Sequence, residues 1–279
     1  MFFEDELLNR RKVITEDESF IKFEISLNEL IGFIWSLSDL ISWNGHVIAS
    51  FIGGKKFILQ TELIDSAVKT LCSIRMCCQY GNISDANTLI RKYRDDMFLL
   101  LYFIEVSNNY SILNEKTTEH EENAVKWIEN RLNDLHISTI LKYLATNKIV
   151  AEVIKKHNLR NVWDAIGTNL NNYVHNNGMY YTLLNYGNFD KKGIDSFTKD
   201  TLFKLEYITV VFMVILILIE APFISSSDYI DALTVGIEPE DGSQYNIAPF
   251  IQEFINKNIK KVNPELKKFL VDNVYMRFE

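Results

Sequence analysis

"YITVVFMVILILI", residues 207–219, runs for thirteen residues without a charge, between Glu206 and Glu220 and just ahead of Pro222. A bilayer span needs about 20 apolar residues, whereas apolar runs of about 10–14 belong to buried core helices. Extending the stretch upstream brings in Lys204 as well as Glu206, charges that a bilayer interior opposes. The stretch therefore reads as the middle of a fully buried central helix at about 203–221. An all-α multi-helix bundle with antiparallel helix hairpins has to surround it, and no membrane partner is expected.

The rest of the chain agrees with that centre. Its 279 residues are 47% hydrophobic and 24% charged, a globular composition. Four prolines and eleven glycines suit long helices joined by short turns and are too few for an all-β fold. The net charge of −8 argues against avid, sequence-blind nucleic-acid binding, because phosphate contacts need a basic face. Cys72, Cys77 and Cys78 are odd in number, and the adjacent pair points to different helix faces, so a reduced, cytoplasmic protein is expected. The start, "MFFEDELLNRRK", carries acids where a signal peptide wants lysines, and no apolar stretch follows.

Along the chain, "FIKFEI" (20–25) alternates and reads as a short strand or extended arm. Ser26 and Glu29 form a capping box opening "SLNELIGFIWSLSDLISW", which stops near Asn44-Gly45. "IGGKKF" reads as a turn, with helical spacing over 57–80 and a break at Gly81-Asn82. Ser84 is the expected cap of "SDANTLIRKYRDDMFLLLYFIEV", giving a helix hairpin. "LNEKTTEHEEN" (113–123) reads as a loop or exposed first turn. Helical spacing returns in "AVKWIENRLNDLHISTILKYL", "KIVAEVIKKH" and "VWDAIGTNLNNYVHN". Residues 185–200 look most like a linker, and the terminal helices divide at Asn263-Pro264. A single domain over 1–279 is expected; the alternative is a bundle over 1–188 with a C-terminal helical subdomain over 189–279.

Two polar groups stand out against this apolar background. Arg91 and Asp95 are four apart on the long helix, with Asn87 one turn earlier, and could aim a carboxylate-held guanidinium at a shared polar pocket. In "NLNNYVHNNGMYY" (169–181), Thr168, Asn171, Asn172 and His175 fall on one broad helix face, with Asn171 in reach of His175. Asn176, Asn177 and Gly178 tolerate the left-handed backbone that ends helices, so His175 also suits a plain helix terminus. Buried amides need partners, which an arginine–carboxylate pair could supply, and an imidazole beside them could act as general acid or base.

"LIRKYRDDMFLLLYF" followed by "LNNYVHNNG" resembles bacterial helical proteins of the HEPN type, including abortive-infection proteins, over about residues 57–185. The resemblance implies a homodimeric, metal-independent ribonuclease of phage defence, with RNA as partner. An arginine separated by four to six residues from a histidine, the two paired across the dimer, would position and activate the ribose 2′-hydroxyl and stabilise charge on the phosphate. Ahead of His175 those places hold Thr168, Asn169 and Leu170, so Arg91 would have to replace the arginine from another helix, with Asp95 holding it. Arg131 and His136 in "RLNDLH" match the spacing, although Leu132 stands where the family usually has a polar residue.

Other signals lead nowhere specific. "GGKK" lacks the spacing of a phosphate loop. The cysteines lack matching histidines, so no metal or cofactor is expected. Asp228 and Asp231 could suggest a cation, but Ser227 or Asp228 capping the next helix explains them, and Glu238, Glu240 and Asp241 read as a solvated turn. Lys155, Lys156 and Arg160 in "VIKKHNLR" form the best basic patch and would be the phosphate contacts for RNA. Two functions are expected: a HEPN-like ribonuclease or its degenerate relative, or a non-catalytic helical module binding a protein partner or small ligand in a polar pocket.

Overall fold

The computed structural model describes residues 2–52, 55–111, 117–133, 135–187, 189–237, 246–276 and 278, with the backbone alone for 2, 3, 49–52 and 55–58. Helices dominate: α1 (Phe2–Thr15), α2 (Glu18–Trp43), α3 (Glu62–Gln79), α4 (Ile83–Asn108), α5 (Glu119–Ile128), α6 (Ile137–Leu144) and α7 (Lys148–Lys156). After them come α8 (Leu159–Val174), α9 (Met179–Leu183), α10 (Lys191–Ile219) and α11 (Ser227–Thr234). α12 (Pro249–Phe254) continues through a π-helical turn, Ile255–Ile259, into α13 (Lys260–Val262), and α14 (Pro264–Asn273) follows. One antiparallel hairpin, β1 (Ile48–Ile52) with β2 (Lys55–Leu59), interrupts the helices, in register from Ile48 opposite Leu59 to Ile52 opposite Lys55.

The central apolar helix is longer than its sequence suggests. α10 begins at Lys191, so much of the linker-like 185–200 is helical. Asp190 starts it, its side chain accepting from the Gly193 N–H at 2.7 Å. Every residue from Tyr207 to Ile217 is buried. By length and composition the helix could cross a membrane, but 72% of its most apolar window is buried inside the protein. That is the pattern of a core helix.

α2 corrects the strand expectation. Phe20, Phe23, Leu27, Leu30, Ile34, Leu37 and Ile41 are buried at alternating spacings of three and four, whereas Ile21 and Ile25 stay exposed. That heptad stripe outweighs six residues of alternation. Ser26 and Glu29 consequently lie mid-helix, and Asp17 tethers the start by accepting from the Ser19 N–H at 2.8 Å. The hairpin corrects residues 57–59 from helix to strand: Gly53-Gly54 between two short apolar runs is a hairpin signal. Ser84 is not a cap, since α4 starts one residue before it. Its N–H is instead satisfied by Asn185 Oδ1 at 2.8 Å and its hydroxyl donates to the Tyr181 carbonyl, a distant solution to a helix start. Further on, Ser226 rather than Ser227 or Asp228 caps α11, accepting from Tyr229 N–H at 3.2 Å. The turn holding Glu238, Glu240 and Asp241 lies outside the described residues.

The chain forms two compact units, each from three segments: Met1–Trp35, Asp65–Asp96 and Arg160–Thr209 in the first, Ser36–Ile64, Met97–Leu159 and Val210–Glu279 in the second. In the first, Gln79 donates to Glu24 and Arg75 to Asn28, each at 2.7 Å, fastening α3 along α2. In the second, α5 packs beside the hairpin and α14 against α7. There His157 meets the Phe269 ring edge-on at 5.5 Å, and Asn108 Nδ2 reaches the Ile219 carbonyl at 3.1 Å to close the end of α10.

Gly81 fixes the α3–α4 turn. Its φ is +72°, and a Cβ there would lie 2.4 Å from Phe189 Cζ, so both backbone and packing demand glycine. Gly81→Ala should lower stability by about 1–3 kcal/mol, read from the shift of a denaturant midpoint at unchanged slope.

Candidate functional site

The polar residues of the first unit gather around two buried cations. Arg94 is 2% exposed and Lys204 3%. They sit on the buried stripes of α4 and α10, where apolar residues would be expected, so each needs compensation. Arg94 Nε and Nη2 both donate to Asp95 Oδ1, at 2.9 and 2.7 Å, and its guanidinium stacks over Trp163 of α8 at 5.7 Å. Lys204 Nζ donates to Asn87 Oδ1 at 2.8 Å and to Asp200 Oδ2 at 2.5 Å, with the Tyr173 ring 5.4 Å away. Asn87, fully buried, returns its amide to the Ile83 carbonyl at 2.8 Å. Burial pushes the Lys204 ammonium below its ordinary pKa, and the Asp200 carboxylate pulls the other way.

Arg91 and Asp95 do meet, Nε to Oδ2 at 3.6 Å, but Asp95 is shared with Arg94. Asn87 turns to Lys204 rather than to Arg91. Lys92 and Asp96 pair with each other and with Ser66 of α3.

The asparagine-rich segment is held by tyrosines, not by the arginines. Asn172 Nδ2 donates to Tyr181 Oη at 2.9 Å, and Asn177 donates to Asn172 Oδ1 at 3.2 Å. Tyr181 meets Tyr173 edge-on at 4.9 Å and Tyr180 at 5.3 Å. Asn176 and Gly178 take positive φ and end α8. His175 and Asn171 are exposed, and among the described residues no side-chain hydrogen bond or ion pair links His175 to Arg91, Asp95 or Asn171. Thr168 is exposed, while Asn169 Oδ1 is buried without a partner.

The second candidate pair lies in the irregular stretch between α5 and α6. Arg131 is exposed and pairs with Glu129; His136 is exposed at the start of α6, making no cap hydrogen bond. Of the basic patch, Lys155 is exposed in the last turn of α7, and Lys156 Nζ lies over the Phe269 ring at 5.2 Å. Arg160, in the other unit, pairs with Asp164 at 3.3 Å on an exposed helix turn.

Two features escaped the sequence reading. Arg94 has no acid four residues away to mark it as Arg91 has, although Asn87, Ile90, Arg94, Met97 and Leu101 follow the three-four spacing of a buried stripe. In the second unit, Glu105 is buried and accepts from Asn109 at 2.9 Å and Asn147 at 3.3 Å. Nearby, His120 Nδ1 bonds Tyr102 Oη at 3.0 Å and its ring lies 3.9 Å from that of Tyr143. Desolvation lowers the His120 pKa, which favours the neutral imidazole. The capping box Thr118–Glu121 that starts α5 was visible in "TEHE" and locates this histidine. Among the described residues, no three His, Cys, Asp or Glu side chains are grouped to hold a metal ion.

Comparison with protein-family models finds no match, nor does comparison with curated proteins or with solved structures.

The Lys204 network yields a pH signature. Because the unfolded lysine keeps its proton to higher pH than the folded one, unfolding takes up protons just below 10.5 and stability rises with pH there. Lys204→Met should remove that rise, so the wild-type advantage grows as pH climbs towards 10.5 and levels off beyond. At neutral pH, Lys204→Met and Asn87→Leu should each cost about 1–3 kcal/mol, and the double variant less than their sum. Urea unfolding across pH measures both.

Proposed function

We propose that the protein is a HEPN-like helical module without catalytic activity, whose task is to bind a protein partner through the surface around α9. The observation that carries this reading is the run Met179, Tyr180, Leu183 and Tyr186, each between 51% and 75% exposed on one helical face. Exposed aromatic and methionine clusters rimmed by polar groups are what partner-binding surfaces are made of. Asn176 and Asn177 lead directly into this run, exposed amides that can exchange hydrogen bonds without a charge to desolvate. Tyr180 and Tyr186 would be the anchors, since tyrosine contributes large contact area with few rotamers to immobilise.

The ribonuclease reading receives less support. It needs an arginine to serve His175 or His136, yet among the described residues no hydrogen bond or ion pair joins Arg91 to His175, and Arg131 pairs with Glu129. The net charge of −8 also opposes a phosphate backbone. The free cysteines fit a reduced, cytoplasmic setting.

Purified protein incubated with total RNA should leave it intact, as should the His175→Ala variant. In affinity capture from cells that express the protein, wild type should retain a partner that a Tyr180→Ala/Tyr186→Ala double variant loses while melting at an unchanged temperature. RNA cleavage that vanishes with His175→Ala overturns the proposal, and so does a partner retained equally by the double variant. Recovery of the chain itself as the captured species would make the α9 surface a homodimer contact.

A further inference from the structure

Asn263 is committed at both ends of its amide. Its Oδ1 accepts from the Glu265 N–H at 3.0 Å and so caps α14, whose first residue, Pro264, has no N–H to offer. That leaves Nδ2, which can only donate, facing His157 Nδ1 at 3.3 Å where α7 ends. The imidazole is therefore the neutral tautomer with Nδ1 as acceptor and its proton on Nε2. That Nε2 is buried and has no hydrogen-bond partner. Phe269 of α14 completes the contact, with the imidazole edge-on at 5.5 Å and Lys156 Nζ over the ring at 5.2 Å. A second proton has no place here. On Nδ1 it would point at the Asn263 amide donors, and turning that amide over would replace the cap oxygen of α14 with a donor. Desolvation lowers the His157 pKa, Lys156 of α7 repels a cation, and Glu265 of α14 attracts one. On α13, which ends at Asn263, the exposed Lys260 and Lys261 carry the sign of Lys156. The C-terminus of α7 favours a cation and the N-terminus of α14 opposes it, so the two helix dipoles offset each other.

We propose that His157 and Asn263 form an acid-sensitive latch, which holds the start of α14 on the end of α7 while the imidazole is neutral and loosens it on protonation. The sign follows from linkage. A detached histidine takes up its proton at the ordinary value of 6.5, whereas the docked one resists to lower pH. Docking is at full strength above 6.5 and weakens as pH falls from there to the docked value. Opening uncovers Leu266, Phe269 and Leu270, all buried in the docked helix. The latch shares no residue with the α9 surface, so it stands or falls independently of the proposed partner binding.

Hydrogen–deuterium exchange of the full chain, corrected for the intrinsic pH dependence of exchange, tests this at about pH 7.5 and about pH 5.5, either side of the ordinary histidine value. On acidification, protection of the α14 amides relative to those of α10 should fall about threefold or more in the wild type. His157→Gln does not titrate and keeps an acceptor for Asn263 Nδ2, so it should abolish that fall. Asn263→Asp keeps the α14 cap and offers a carboxylate oxygen that accepts from the protonated ring. Its response should therefore reverse, with α14 better protected in acid. A merely structural role for Asn263 would not change the sign. The proposal is overturned if wild-type α14 keeps its protection in acid, if His157→Gln loses as much, or if Asn263→Asp retains the wild-type response.

Discussion

A helix without a polar face has to be covered on every side, and α10 is such a helix from Tyr207 to Ile217. α4 repeats the condition, with Met97, Phe98 and every residue from Leu100 to Val106 buried. Burying so much continuous apolar surface contributes roughly 25 cal/mol per Å² removed from water and is the main source of stability for the helices around it. The few polar atoms within the buried stretches are paired. Tyr93 Oη and Thr209 Oγ1 meet at 2.7 Å, and Thr209 also donates to the Leu205 carbonyl at 2.8 Å. Burial drives the Tyr93 phenol well above its ordinary pKa, so that pair is a neutral hydroxyl contact.

Arg94 and Lys204 are buried cations in this interior, and their arrangement explains why they are tolerated. Each ion meets a carboxylate that keeps some access to water, Asp95 at 41% and Asp200 at 50% side-chain exposure. Desolvation is thus concentrated on the cation, and its partner remains hydrated. A buried ion pair is weak evidence of stability, since an apolar pair of the same shape can do as well. What these pairs do specify is register: Lys204 meets Asn87 and Arg94 meets Trp163 in one alignment of α4 with α10 and α8. A shift by one residue would strand both charges, whereas leucines could slide.

Much of the architecture was legible because helix periodicity and chain breaks are local. The apolar run 207–219, the break at Gly81 and the division at Asn263-Pro264 each needed only their own neighbourhood. α2 was misread at its start because six alternating residues imitate a strand until the stripe from Phe20 to Ile41 is followed to its end. The hairpin was missed because two five-residue strands leave too short a periodic signal beside a long helix. The site was less legible for a different reason. Arg91 and Asp95 are a local i,i+4 pair and could be found. Lys204 with Asn87 and Arg94 with Trp163 join residues remote in sequence, and no spacing rule encodes such partners. The asparagines of 171–177 drew attention by composition, yet composition could not say that Tyr181 would claim one of them.

The aromatic chain leading from that core gives the exposed surface its physical meaning. Lys204 lies against Tyr173, Tyr173 against Tyr181, and Tyr181 against Tyr180, at 5.4, 4.9 and 5.3 Å. Asn172 pins the Tyr181 hydroxyl, while Ser84 and Asn185 tie the α9 segment to the start of α4. Arg10 adds a bond from α1 to the Asn185 carbonyl at 2.8 Å. A five-residue helix has no stability of its own in water, so α9 is held in place by these side chains. If the surface binds a partner as proposed, ordering α9 in advance would spare the entropy of shaping the face that Tyr180 and Tyr186 present. Under that proposal the amide-rich segment would be the support of the binding face, with His175 exposed just past the end of α8.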